Sequence, residues 1–79
     1  MNQEQLFLNH VRQQLSIARR GWQSDEVTGA TIAGYVTAVK NFGGWSNDMD
    51  AINKLAVTAI YGTREQKNEA REKLKGYDV

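Results

Sequence analysis

The spacing of apolar residues constrains the fold of this chain more than any other feature of its sequence. In the first segment, apolar residues recur at intervals of three and four: Leu8, Val11, Leu15, Ala18 and Trp22. This period places them on one face of a helix. Asn2 is a good N-cap, and Gly21 suits the left-handed conformation that ends a helix. We predict a first helix from about Gln3 to Arg20.

The stretch between the two tryptophans, residues 22–45, is rich in glycine and β-branched residues and is compatible at first sight with a strand, a phosphate-binding loop or a helix. A strand over residues 31–39 would mix polar and apolar side chains on both faces, so alternation does not support it. Gly29 and Gly34 have the spacing of a phosphate loop, but Tyr35 stands where that loop needs lysine. We therefore predict a helix for this stretch.

As a helix, this stretch carries two stripes. The apolar stripe consists of Ile32, Val36 and Val39, with Tyr35 and Phe42 beside it. The other stripe consists of the small residues Ala30, Gly34 and Ala38. We expect the small residues to let another helix approach closely, which would offset the helix-destabilising effect of the glycine. Ser24 or Thr28 begins this second helix, and Gly43-Gly44 ends it.

A third helix is predicted from Ser46 or Asn47 to Gly62. Its inward residues follow the helical period: Met49, Ile52, Leu55, Ala56, Ala59 and Ile60. Asp48 and Asp50 lie near its N-terminus, where negative charge is favourable.

A fourth helix begins at a capping box formed by Thr63 and Gln66. Only Ala70 and Leu74 face inward along it, and a solvated ion-pair face that includes Glu69 and Lys73 is expected. With Gly76 as its terminator, we expect this helix to be loosely held at its C-terminal end.

These elements predict an all-α fold: a small compact bundle of three main helices plus a polar C-terminal helix, forming a single domain over residues 1–79. A chain of this length buries only about 60–65% of its unfolded surface, so modest stability is expected. The chain has no cysteine, so no disulfide reinforces it.

The composition argues against an enzyme. His10 is the only histidine and cysteine is absent, which excludes a Cys–His nucleophile and a multi-histidine metal site. We expect no catalytic residue, cofactor or metal. The net charge of +1 does not by itself indicate a class of binding partner. We expect neither a membrane span nor a signal peptide, and therefore a soluble cytoplasmic protein.

Protein binding is the function that we expect: an accessory, adaptor or inhibitor that acts on a larger protein. The length of the chain resembles that of the small regulators that phages and mobile elements encode, which is an analogy of size alone. Trp22, Phe42 and Trp45 are expected in the core, whereas Leu6, Phe7 and Ile17 lie off the main stripe of the first helix. The predicted partner-binding residues are Phe7, Ile17, Arg64, Arg71 and Tyr77.

Two alternatives stay open. A small helical DNA-binding regulator would use the cations Arg12, Arg19, Arg20, Lys67, Arg71 and Lys75. The basic residues of the fourth helix interleave with acidic ones, which is typical of a solvated face, and no glycine fits the spacing of a helix-turn-helix. A homo-oligomeric structural subunit, such as a homodimer, would hide the first helix in its interface.

Overall fold

Four helices joined by three short loops form the part of the chain described by the computed structural model, residues 2–79. They are α1 (Gln3–Arg19), α2 (Asp25–Asn41), α3 (Asn47–Tyr61) and α4 (Arg64–Lys75). The predicted all-α bundle is confirmed. Over the same residues, none of the helices combines the length and apolar character needed to cross a membrane.

Each helix begins at a side chain that caps it. The capping residues are Asn2, Ser24, Ser46 and Thr63. Each accepts a hydrogen bond from the backbone N–H three residues later, at 2.8–3.2 Å. The capping box of α4 is confirmed, because Gln66 Oε1 also accepts from the Thr63 N–H at 2.9 Å. Glycines with positive φ follow α1 and α2, at Gly21 (φ 78°) and Gly43 (φ 74°).

Both α1 and α3 contact all three other helices, while α4 packs mainly on α3. The buried apolar residues are Phe7, Leu8, Val11, Leu15, Ile32, Val36, Met49, Ile52, Ala56, Ala59, Ile60, Ala70 and Leu74. The predicted inward faces of α3 and α4 are thereby confirmed, except that Leu55 is only half-buried. Trp45 also packs against this core without being fully buried.

Three aromatic positions differ from the prediction. Phe7 is 0% exposed, whereas Trp22 is 72% and Phe42 89% exposed. The Phe7 ring lies 5.4 Å from that of Tyr35 and 5.6 Å, edge-on, from that of Trp45. Phe7 is buried because α1 has neighbours on several sides, so the face that it buries is wider than one stripe. Trp22 and Phe42 are exposed because each lies in the turn after a helix end.

The C-terminal end of α4 is held firmly, so the prediction of a loose end is wrong. The Arg12 guanidinium donates hydrogen bonds to the carbonyl oxygens of Leu74 (2.6 and 2.9 Å), Lys75 (3.1 Å) and Tyr77 (3.2 Å). The last carbonyls of a helix have no partner within the helix and carry partial negative charge, so a guanidinium stabilises them. This contact joins α1 to the end of the chain.

The small-residue stripe of α2 does not pack against another helix, contrary to the prediction. Ala30, Gly34 and Ala38 are all exposed. Apart from its chain neighbours and the adjacent backbone of α2, a methyl group added at Gly34 would meet no atom of residues 2–79 within 4 Å. The stripe faces outward because Thr28, Ile32 and Val36, on the opposite side of α2, are the residues that it buries.

Candidate binding surfaces

A cleft lined with positive charge lies between α1 and α4. Its lining residues are Arg12, Leu15, Ser16, Arg19, Arg71, Leu74 and Lys75, and we call it the α1–α4 cleft. Its volume is about 270 Å³. Leu15 and Leu74, both buried, provide apolar lining. Among the described residues, no acidic side chain lines this cleft.

Arg71 has an unusual environment within the cleft. Its side chain is half-buried, and its Nε is buried without a hydrogen-bond partner among the described residues. Arg12 differs, because its Nε and Nη2 already donate to the carbonyls at the end of α4. The cleft therefore contains one guanidinium fixed in place and another with an unsatisfied donor.

Four of the six cations predicted for the nucleic-acid alternative lie together in this cleft: Arg12, Arg19, Arg71 and Lys75. The other two do not line it. Arg20 lies over the ring of Trp22, at 5.2 Å from its centre. Lys67 forms an ion pair of 3.3 Å with Asp25 and so joins α4 to α2. The fold gathers part of the predicted set into one cavity.

A second depression lies between α2 and α3. Its lining residues are Gly29, Ile32, Ala33, Val36, Thr37, Asn53, Ala56, Val57, Ile60 and Tyr61, and we call it the α2–α3 groove. Its volume is about 290 Å³, and none of these residues is charged. Val57 is 48% and Tyr61 62% exposed, so large apolar groups meet water at this groove.

The groove continues into a solvent face of α2 that also lacks charge. Residues 27–39 contain no charged residue, although Val27, Thr31 and Thr37 are exposed together with the small-residue stripe. The exposed side of α4 is different, because eight of its twelve residues are charged and all of its exposed residues are polar. A helix face turned to water ordinarily resembles that of α4.

The predicted partner-binding residues do not form one patch. Phe7 is a core residue and is excluded from any exposed surface, which corrects that assignment. Ile17 and Tyr77 are half-buried, and Arg64 is exposed at the first position of α4. Of the five, only Arg71 lines either depression.

Sequence reasoning missed Ala33, Val57 and Tyr61, which line the α2–α3 groove. The uncharged stretch is visible in the sequence, but its small residues predict packing against another helix and not an exposed surface. Val57 could have been found as an apolar residue outside the predicted inward set of α3.

Two titratable groups outside both depressions have shifted pKa values. Burial lowers the pKa of His10, against the opposite effect of a hydrogen bond to the Thr31 backbone. The His10 ring stacks on Tyr35 at 4.6 Å. A hydrogen bond from Lys54, together with its charge, lowers the pKa of Asp50. Within residues 2–79, no three His, Asp or Glu side chains are grouped so that they could hold a metal ion.

Comparisons with protein-family models, with curated proteins and with solved structures found no match to this chain. The two surfaces themselves are therefore the basis for assigning a function.

Proposed function

We propose that the protein is a small non-enzymatic binding module, an accessory, adaptor or inhibitor that holds a segment of a larger protein in the α2–α3 groove. The observation that carries the proposal is the absence of charge from the ten residues that line the groove. Val57 and Tyr61 expose apolar surface there, and apolar patches bordered by polar residues are typical of interaction sites.

An amphipathic helix with an apolar face is the partner segment that fits this surface best. Grooves between two helices accept such helices through apolar side chains spaced by three or four residues. Within the groove, Gly29, Ala33 and Ala56 are small, so a second helix can approach closely. A charged segment would lose its hydration without gaining a charged partner in this groove.

The size of the molecule is compatible with this role. A standard interface buries about 800 Å² on each partner. The accessible surface of the molecule is 5063 Å², so such an interface would occupy roughly one-sixth of it.

The homo-oligomer alternative expects an interface that hides α1. Within the monomer Phe7, Leu8 and Val11 of α1 are already buried, which leaves less apolar surface on α1 for such an interface. The groove is the surface that self-association would use instead, so the experiment must separate a second copy from a larger partner.

The test is a quantitative pull-down from nuclease-treated lysate of the source cells, combined with variants that place a charge in the groove. Ala33→Lys and Val57→Lys alter exposed positions and should change stability by no more than about 0.5 kcal/mol. Asn68→Lys, at an exposed position of α4, is the matched control. Circular dichroism and size-exclusion chromatography confirm the fold and the oligomeric state of each protein.

We expect one protein to be retained by the wild type and by Asn68→Lys, and to be lost at least about tenfold from both groove variants, because a lysine desolvated without a partner opposes binding. Equal retention by all four proteins would overturn the assignment to the groove. A wild type that dimerises while the groove variants remain monomeric would assign the groove to a second copy of the chain and overturn the proposed larger partner.

A further inference from the structure

We infer that the α1–α4 cleft is a second binding site, which accepts an acidic peptide segment carrying an apolar side chain next to its carboxylates. The cleft shares no residue with the α2–α3 groove, so this inference stands apart from the proposed function in its residues and in its test. Three observations support it: the positive charge of the cleft, the unsatisfied Nε donor of Arg71 and the volume of the cleft.

Positive charge is concentrated in the α1–α4 cleft. Arg12, Arg19, Arg71 and Lys75 line one cavity, and no acidic residue of the described chain lines it with them. Lys75 pairs with Glu72 at 3.2 Å, but both groups are largely exposed, and such a pair is weak. Like charges held together are destabilising, and an anion bound between them relieves their repulsion.

The guanidinium groups of the cleft are prepared to donate hydrogen bonds to an anion. The buried Nε of Arg71 has no acceptor within residues 2–79, although buried donors are almost always paired in folded proteins. Arg12 is anchored by the α4 carbonyls, so its charge is already in place before a ligand arrives. Three of the four cations are arginines, whose planar guanidinium matches a carboxylate with two parallel hydrogen bonds.

The size and lining of the cleft indicate a ligand larger than a single carboxylate. Its volume of about 270 Å³ is roughly nine times the share of a water molecule in the liquid, which is more than a carboxylate alone would fill. The accessible surface of its lining is mostly apolar. The ligand therefore has an apolar side chain for this surface and carboxylates for the cations around it.

Nucleic acid fits the cleft less well than an acidic peptide. Single strands bind by stacking their bases on aromatic rings, and no aromatic residue of the described chain lines the cleft. Duplexes bind through many phosphate contacts along a track of charge. Here that track is interrupted, because Lys67 is paired with Asp25 and Arg20 lies over Trp22.

The test is an NMR titration of the full ¹⁵N-labelled chain with a short capped peptide in which glutamate pairs alternate with leucine. The same peptide with glutamine in place of glutamate controls for charge, and a short oligothymidine serves as the nucleic-acid probe. The Nε–Hε signal of Arg71 reports directly on the unsatisfied donor, and the backbone amides of Ser16 and Lys75 report on the cleft.

We expect the glutamate–leucine peptide to shift these signals saturably and to bind more weakly as salt is added. Arg71→Gln should weaken binding about tenfold, the loss typical of a charge-assisted hydrogen bond. Arg19→Gln, at an exposed position, provides a second variant with little risk to the fold and should weaken binding about threefold. Arg64→Gln, outside the cleft on the same helix, is the matched control and should bind like the wild type.

Three results would overturn the inference. They are equal binding of the glutamine peptide, an equal loss in Arg64→Gln, and the absence of shifts at millimolar peptide. Tighter binding of oligothymidine at the same signals would assign the cleft to nucleic acid instead. The groove variant Val57→Lys should bind the glutamate–leucine peptide like the wild type, so failure at one surface does not imply failure at the other.

Discussion

The α1–α4 cleft and the α2–α3 groove have similar volumes, about 270 and 290 Å³, but opposite chemistry. Within residues 2–79, four cations line the first and no charged residue lines the second. The cleft is held together by directed hydrogen bonds from Arg12 to the end of α4. The groove is formed by apolar and small side chains of α2 and α3.

This difference shows how little the overall charge of a small protein says about its surfaces. The net charge of +1 arises from ten basic and nine acidic residues that are unevenly distributed. Eight charged residues lie within α4, whereas residues 27–39 of α2 contain none. Two surfaces that differ this much suit two kinds of ligand, and the following predictions test whether they are independent.

The largest expected effect is on a residue that supports both surfaces. Phe7→Ala should destabilise the protein by about 3–5 kcal/mol, because it removes a fully buried ring that contacts Tyr35 and Trp45. That amount approaches the total stability expected for a chain of this size. Urea denaturation followed by circular dichroism measures it.

Leu6→Ala is the control for Phe7→Ala, because Leu6 is the neighbouring residue and is exposed. Its effect should stay below about 1 kcal/mol. A similar loss for the two variants would mean that Phe7 is not a core residue, and would return it to the exposed surface.

The second effect should be confined to the cleft side of the molecule. Arg12→Lys keeps the charge but loses the fork of donors that holds the Leu74, Lys75 and Tyr77 carbonyls. We expect a loss of about 2 kcal/mol. Hydrogen exchange should accelerate in the last turn of α4 and remain unchanged in α2.

Lys75→Gln serves as the control for this variant. It removes a cleft cation whose partner, Glu72, is exposed, so the change should be within about 0.5 kcal/mol. Equal acceleration of exchange in α2 and α4 would contradict the separation of the two regions.

The sequence predicted the helices well because the features that begin and end a helix are local. The capping hydroxyls of Ser24 and Thr63 bond backbone groups only three residues away, and Gly21 reverses the chain at the next position after α1 and its cap. The i, i+4 ion pair of Glu69 and Lys73 is likewise local, and it is confirmed at 3.2 Å. Such contacts depend little on the rest of the fold.

The surfaces were harder to predict because they depend on distant contacts. Arg12 meets Leu74 across 62 residues of sequence, and no spacing rule connects them. Phe7 was misplaced because the width of a buried face depends on how many helices surround it. Trp22 continues the period of α1 in the sequence, but the helix ends before it, so periodicity extended past the last turn predicts the wrong side.

The small-residue stripe illustrates the same limit, because its spacing is identical on a packed face and on an exposed one. The structure leaves it exposed, which predicts that Gly34→Ala stabilises the protein by about 0.5–1 kcal/mol. The new methyl group meets no atom of residues 2–79 beyond the adjacent part of α2, and alanine restricts the unfolded chain. Thermal and urea unfolding of the variant measure the gain.

Gly29→Ala provides the comparison within the same helix. Its methyl group would meet the hydroxyl end of Tyr61, so the ring must move and the gain should be smaller than at Gly34. Destabilisation by Gly34→Ala would indicate that this face is covered in solution, as in a dimer, and would weaken the contrast between the two regions.

The smallest effect concerns His10, which lies on α1 where it faces α2 and outside both the cleft and the groove. Burial lowers its pKa in the folded protein below the ordinary value of 6.5. Below that value, the unfolded chain therefore binds more protons at this site than the folded one. The contribution of His10 to stability is fully present above about pH 6.5 and is lost as the pH falls toward the lowered pKa.

Unfolding free energies of the wild type and His10→Gln, compared between about pH 5 and about pH 8, isolate this contribution from the carboxylates that titrate in both proteins. We expect the wild type to lose stability relative to the variant as the pH falls. The slope of this loss against pH corresponds to the uptake of a fraction of a proton on unfolding. Because His10 lines neither depression, the glutamate–leucine peptide should show the same ratio of affinities for the two proteins at both ends of this range. A change in that ratio would mean that protonation of His10 reaches the cleft through α1, and that the two sides of the bundle are coupled.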